Sequence, residues 1–230
     1  MRIDGLQKMT LLDFPGKVAC TVFLGGCNFR CPFCHNALLV TDLPLKPDYT
    51  ADEILDFLKK RQGLLDGVAI TGGEPLINSE LSDFIKEIRK LGYSVKLDTN
   101  GSFPDRLKKI VGDGLVDYVA MDIKNCREKY TQTVGLSALD VSKIEESVDF
   151  LKSGAVDCEF RTTVVREFHT VEDIRKAAEW ISGAKRYFLQ NFVDSGNLID
   201  SSVGGVDKET MLRMRDAAAD FVPQTKIRGI

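Results

Sequence analysis

The sequence has no excess of charge of one sign. Its 230 residues carry a formal net charge of −3, without the strong basic surplus that marks nucleic-acid binding. It has no apolar run approaching the roughly 18 residues a membrane helix requires. The first ten residues carry Arg2, Asp4 and Lys8 and no apolar h-region of a targeting segment. The expectation is a soluble cytoplasmic protein without nucleic-acid or membrane partners. Repeats, low-complexity tracts and linkers are also missing. One domain over 1–230 is therefore expected, with a core at about 18–193, an N-terminal extension at 1–17, and a C-terminal loop, helix and tail at 194–230. Hydrophobic residues make up 43% of the chain, enough for one sizeable core.

Apolar β-rich runs alternate with amphipathic stretches. The runs are 18–24, 67–71, 94–99, 116–123, 157–165 and 186–193. Helices are expected at 51–62, 79–91, 104–111, 140–152, 171–181 and, after a Gly/Ser-rich loop at 195–205, at 208–221. Thr50 and Glu53 have capping-box spacing, and Gly92 and Gly154 follow helices where the chain leaves through positive φ. Apolar strands alternating with helices specify a parallel sheet covered on its faces. Six such units are fewer than a closed eightfold barrel needs. The expected fold is α/β, a partial (β/α)6 TIM-like barrel with its site at the C-terminal ends of its parallel strands.

Three of the six cysteines fall within eight residues, in Gly25-Gly-Cys27-Asn-Phe-Arg-Cys31-Pro-Phe-Cys34-His35. In a reducing compartment, clustered thiols bind metal or do redox chemistry more often than they form disulfides. Three thiolates spaced CxxxCxxC can hold one face of a cubane. Iron–sulfur clusters usually take four protein ligands, so three leave one iron open for a chelating substrate. Gly25 and Gly26 let amide N–H groups approach the sulfurs, and Phe33 shields the cluster from water. The competing reading is a zinc site of the three cysteines plus His35, which the adjacency of Cys34 and His35 makes difficult to assemble.

Cys27-x3-Cys31-x-Phe33-Cys34 resembles the signature of the radical S-adenosylmethionine superfamily. Leu11-Leu-Asp-Phe-Pro-Gly16 and Cys34-His-Asn36 resemble the glycyl-radical-enzyme activases, above all the activating proteins of anaerobic ribonucleoside-triphosphate reductase. The resemblance implies Cys27, Cys31 and Cys34 as ligands of a [4Fe–4S] cluster, S-adenosylmethionine on the open iron, and Phe33, Cys34 and His35 against the cofactor. It further implies a 5′-deoxyadenosyl radical that takes hydrogen from a glycine Cα of a partner glycyl radical enzyme. An external reductant such as flavodoxin or ferredoxin would supply the electron.

The strand ends supply further candidates. In Thr71-Gly72-Gly73-Glu74-Pro75 the glycines let carbonyls reach a ligand ammonium and Glu74 adds negative charge, an arrangement that resembles the superfamily's methionine-binding motif; an ordinary turn is the alternative. Asp98-Thr99-Asn100-Gly101 and Asp122-Ile123-Lys124 resemble the activases' segments along the ribose and methionine. Asp98 and Asp122 would then crowd like charges together, relieved by Lys124 or by a bound monovalent cation; each could instead be a solvated loop or cap residue. Arg161 is assigned to the ligand's carboxylate or ribose, with a salt bridge to Glu159 or Asp98 as the rival. Gln190 and Phe192 are placed at the adenine, Phe192 equally at home in a core.

Cys20, Cys126 and Cys158 read as small buried hydrophobes, Cys126 as the one on the rim that oxidation could reach. His169 reads as a surface residue. Asp13-Phe-Pro-Gly16 reads as a turn that the resemblance puts near the cluster. No second cysteine cluster follows Cys34, which argues against ferredoxin-like inserts and auxiliary clusters. Two further functions stay open: a radical enzyme acting on a nucleotide-like small molecule, and a zinc-bound interaction module.

Overall fold

The computed structural model describes residues 1–194 and 196–229; Ser195, where the expected Gly/Ser-rich loop begins, lies outside the described residues. Eight strands form one sheet in chain order: β1 (Ile3–Thr10), β2 (Ala19–Leu24), β3 (Gly67–Gly72), β4 (Ser94–Thr99), β5 (Tyr118–Asp122), β6 (Asp157–Val164), β7 (Tyr187–Asn191) and β8 (Thr225–Arg228). The α-helices are α1 (Ala51–Lys59), α2 (Leu81–Lys90), α3 (Pro104–Gly112), the short α4 (Tyr130–Thr133), α5 (Val141–Lys152), α6 (Val171–Trp180) and α7 (Lys208–Ala219). Neighbouring strands from β2 to β8 run parallel, and β1 pairs antiparallel with β2. The sheet order starts at β1 and stops at β8, so the barrel is partial, as expected. Among the described residues no helix is long and apolar enough to cross a membrane.

Local chemistry sets these boundaries. Thr50 accepts the Glu53 N–H while the Glu53 carboxylate accepts that of Thr50, and Thr170 and Asp173 repeat the exchange at α6. Gly92 and Gly154 leave their helices at φ of 90° and 84°. On α2, Leu81, Phe84, Ile85 and Ile88 bury one stripe at the spacing of a helix face. β2 is almost wholly buried, as a strand covered on both faces must be.

The six expected units are β2 to β7. Two strands go beyond that reading. The supposed N-terminal extension supplies β1, whose Gly5 and Lys8 mask any apolar alternation and whose register is interrupted twice. The supposed tail supplies β8, four residues long and too short to show a period. The Asp13–Gly16 segment also departs from expectation. It is a turn, with Gly16 at φ of 72° and Asp13 accepting a hydrogen bond from Thr21 Oγ1 at 2.5 Å. Phe14, however, packs with Ala19 and Tyr118, the first residues of β2 and β5. It plugs the N-terminal ends of the strands, opposite the expected cluster. Buried Glu159 lies near that end too, bonded by Tyr118 Oη at 2.9 Å and by two Arg228 nitrogens at 3.0 Å each.

Candidate active site

One cavity at the C-terminal ends of the parallel strands gathers most of the expected residues. Cys27, Cys31, Phe33, Cys34 and His35 line it from the loop after β2; Gly72 and Gly73 from the end of β3 and just beyond; Asp98, Thr99 and Asn100 from the end of β4 and just beyond; Asp122 and Lys124 from the end of β5 and just beyond; Arg161 from β6; and Gln190 from β7. Phe29, Asn36, Val40, Thr71 and Thr163 join them. Thr163 was legible from period two, since it shares its face of β6 with Arg161. Asn36, which fixes Gly72 by donating to its carbonyl at 2.9 Å, was visible as a polar neighbour of Cys34.

Three expected residues do not line the cavity. Glu74 is fully buried and absent from the lining. Its carboxylate accepts from Thr99 Oγ1 at 2.9 Å, Asn100 N at 2.6 Å and Leu76 N at 3.0 Å, and so ties the β3 loop to the β4 loop from behind. Burial pushes its carboxyl up to about 7, against the pull of those donors. Ile123 is buried in the core. Phe192 is buried as well, stacked on His35 with ring centroids 5.2 Å apart and planes 16° from parallel. His169 is not a surface residue: only 3% of it is exposed. Cys126, expected on the rim, is buried like Cys20 and Cys158.

The charges of the cavity form one ladder across three strands. Pairing of β5 with β6 sets Asp122 beside Arg161. Arg161 donates from Nε to Asp122 Oδ1 at 2.9 Å and from Nη1 to Asp98 Oδ2 at 3.1 Å. Lys124 Nζ pairs with Asp122 Oδ2 at 3.0 Å, and buried Lys96 pairs with Asp98. Burial works to raise both carboxyls, but Arg161 with Lys124 holds Asp122 down at about 2, and Arg161 with Lys96 holds Asp98 below the usual range. Burial opposes the charge on Lys124, but Asp122 together with Cys31 and Tyr130 raises its pKa and keeps it protonated. The like-charge problem read from the sequence is thus met by three side-chain cations. Arg161 is committed to two carboxylates, with Asp98 the partner foreseen among the rivals and Glu159 bound elsewhere.

The residues present fit an iron–sulfur cluster. Cys27, Cys31 and Cys34 line the cavity, and soft sulfur donors suit iron in sulfide. Phe29 N–H reaches Cys27 Sγ at 3.3 Å and Asn100 Nδ2 reaches it at 3.9 Å, donors of the kind that tune a thiolate. The loop needs bare backbone around it: a Cβ on Gly73 would stand 2.0 Å from the Gly26 carbonyl oxygen, and Gly26 has φ of 92°. Burial pushes the Cys27 and Cys31 thiols up to about 11 and 12 and raises that of Cys34, so charged metal must displace their protons. Among the described residues no three His, Cys, Asp or Glu side chains gather as one metal ion requires, and His35, the fourth zinc ligand of the rival reading, is turned onto Phe192.

Comparison with known proteins agrees with this chemistry. The radical SAM superfamily model matches residues 21–187. A Methanocaldococcus jannaschii protein with the provisional name glycyl-radical enzyme activating enzyme is 32% identical over 197 residues, covering 83% of this chain and 79% of its own. The 7-carboxy-7-deazaguanine synthase of Methanopyrus kandleri is 32% identical over 130 residues, 48% of this chain and 51% of its own. A solved domain of pyruvate-formate lyase-activating enzyme from Bacteroides vulgatus shares the fold, with a TM-score of 0.58 over 71% of this chain and 99% of that one at 17% identity. Membership of this superfamily implies a [4Fe–4S] cluster and S-adenosylmethionine. A three-cysteine loop over a cavity at the open end of a partial barrel is where such chemistry is housed, and the chain belongs to the radical SAM superfamily of enzymes.

Proposed function

We propose that this enzyme is an activase that generates a glycyl radical on a partner protein, an anaerobic ribonucleotide reductase being the partner the sequence favours. The observation that carries the reading is the extent of one similarity: 32% identity to a protein named as an activating enzyme runs over 83% of the chain. The likeness to the deazaguanine synthase covers 48%. A sheet that ends at β1 and β8 without closing also leaves room for a peptide loop to reach the cavity.

In this reading residues 1–230 work as one unit in the cytoplasm, with flavodoxin or ferredoxin as electron donor. Cys27, Cys31 and Cys34 hold the cluster. When bound, the cluster supplies the electron that cleaves S-adenosylmethionine to methionine and a 5′-deoxyadenosyl radical. The carbonyls of Gly72 and Gly73 would hold the methionine ammonium and Lys124 its carboxylate. Asp98, Thr99 and Asn100 would line the ribose and Gln190 the adenine. Arg161 holds the two aspartates in place. Phe33, buried in the cavity lining, would exclude water. Lys96, Arg161 and Lys124 already neutralise Asp98 and Asp122, so this reading needs no monovalent cation.

The similarity to a deazaguanine synthase favours a second reading, a nucleotide-like small molecule as substrate. Electron paramagnetic resonance separates the two. After anaerobic incubation with reductant, S-adenosylmethionine and a candidate partner, the activase leaves a glycine doublet on the partner. Formation of 5′-deoxyadenosine stimulated by a small molecule and by no protein would overturn the activase reading.

A further inference from the structure

His169 does not line the cavity, yet it touches two residues that do. It sits in the turn between β6 and α6 with 3% of its surface exposed. The Val165 N–H donates to its Nδ1 at 3.0 Å, with the Val165 carbonyl 3.2 Å from the same atom, while Nε2 faces the Lys124 carbonyl, which can only accept; a neutral ring that meets both carries its proton on Nε2. Nε2 then donates to the Lys124 carbonyl at 2.8 Å. The ring meets Phe33 edge-on, centroids 6.3 Å apart and planes at 72°, and the preceding Phe168 flanks Phe33 at 5.7 Å. Asn125 reinforces the joint by donating to the Phe168 carbonyl at 2.9 Å.

We propose that His169 is a positioning residue: through one hydrogen bond and one ring contact it sets where Lys124 and Phe33 stand beside Cys31 and Cys34. The three demands on this position are an acceptor facing Val165, a donor facing Lys124 and a flat face for Phe33. A neutral imidazole meets all of them; an amide meets two and a phenyl ring one. Because Lys124 pairs with Asp122 at the cavity wall, a shift of its backbone moves the ammonium that the proposed function assigns to the methionine carboxylate. The inference rests on that assignment.

The test has two parts. In the iron-free protein, imidazole nitrogen NMR should show the Nε2–H tautomer at neutral pH; the Nδ1–H tautomer or a charged ring would overturn the inference. In the reconstituted protein, S-adenosylmethionine affinity is read from the change it causes in the electron paramagnetic resonance of the reduced cluster. His169→Phe, which keeps ring volume and loses both hydrogen bonds, should weaken that affinity about 10-fold or more, the scale on which such outer partners act. His169→Gln, which can still donate to Lys124, should recover most of it. In a Lys124→Met background, His169→Phe should cost less than about 2-fold more, since the two would act through one interaction. Equal losses in both backgrounds, or a His169→Gln variant no better than His169→Phe, would reduce His169 to ordinary packing. If the unaltered protein builds no cluster, or S-adenosylmethionine leaves its spectrum unchanged, it is the function that has failed and not this inference.

Discussion

Arg161 donates from Nε to Oδ1 of Asp122 at 2.9 Å while its Nη1 reaches across to Asp98, so one guanidinium spans the carboxylates of two neighbouring strands. Both acids stay ionised although half-buried, because Arg161 and the two lysines surround them. Removing one partner of a buried ion pair costs about 3–5 kcal/mol when the other is left wholly uncompensated. Here Lys96 and Lys124 remain. Arg161→Met should therefore destabilise the iron-free protein by about 2 kcal/mol, read from denaturant unfolding at pH 7, and adding Asp122→Asn should return part of the loss. An unchanged unfolding midpoint in Arg161→Met would show that the ladder contributes nothing to stability.

Glu74 and Asp122 predict opposite pH dependences. The Glu74 carboxyl rises from its ordinary 4.5 to about 7 through burial. Between those values the folded chain binds a proton that the unfolded chain has released, so stability falls as pH rises through this window. At about 1.4 kcal/mol per unit, the loss is about 3.5 kcal/mol at most. Asp122, held at about 2 against an ordinary 3.8, contributes stability above 3.8 that disappears as pH falls through 2. Denaturant unfolding of the iron-free protein between pH 4.5 and 7 checks the Glu74 half: the slope should flatten in Glu74→Gln, and the same slope in both proteins would remove the effect from Glu74.

How far this was legible in the sequence depends on what kind of signal each part left. The parallel strands β2 to β7 and their helices were legible because apolar runs and capping residues such as Thr50 and Gly92 are local signals. β1 and β8 were not, because each is specified by the strand it pairs with rather than by its own composition. The cysteine loop was legible from spacing. The burial of Glu74 was not legible, because a motif gives the order of residues and not the direction of a side chain: Thr99 and Asn100, distant in sequence, draw its carboxylate behind the loop. His169 failed for the same reason, since its partners Val165 and Lys124 are backbone groups that no pattern announces. Arg161 was half legible; a charge in a β-like run demands a partner, but only the strand register says which.

Gly73 and Gly112 make a paired test of the loop's geometry. A Cβ at position 73 would stand 2.0 Å from the Gly26 carbonyl oxygen and 3.3 Å from Cys27 Cβ, so Gly73→Ala must push the cysteine loop outward. Gly112 closes α3 with open space around it. Gly112→Ala should stabilise the chain by about 0.5–1 kcal/mol, the ordinary gain of alanine in a helix. Gly73→Ala should take up markedly less iron on anaerobic reconstitution than Gly112→Ala. Equal iron in the two proteins would show that the loop tolerates displacement.

The six cysteines divide by surroundings. Cys27, Cys31 and Cys34 face the cavity, whereas Cys126 is buried with its Sγ 3.7 Å from Asp173 Oδ1, and Cys158 Sγ lies 3.7 Å from the Leu151 carbonyl oxygen. Removing any of the first three leaves two thiolates, too few to hold three corners of a cubane, so Cys31→Ala should lose the broad visible absorption and nearly all iron after reconstitution. Cys126→Ala removes one buried sulfur and should cost about 1 kcal/mol of stability while leaving iron content unchanged. Iron and sulfide assays on the two variants decide between them. Full iron in Cys31→Ala would mean that some other side chain completes the site, and the assignment of an open iron would have to be abandoned.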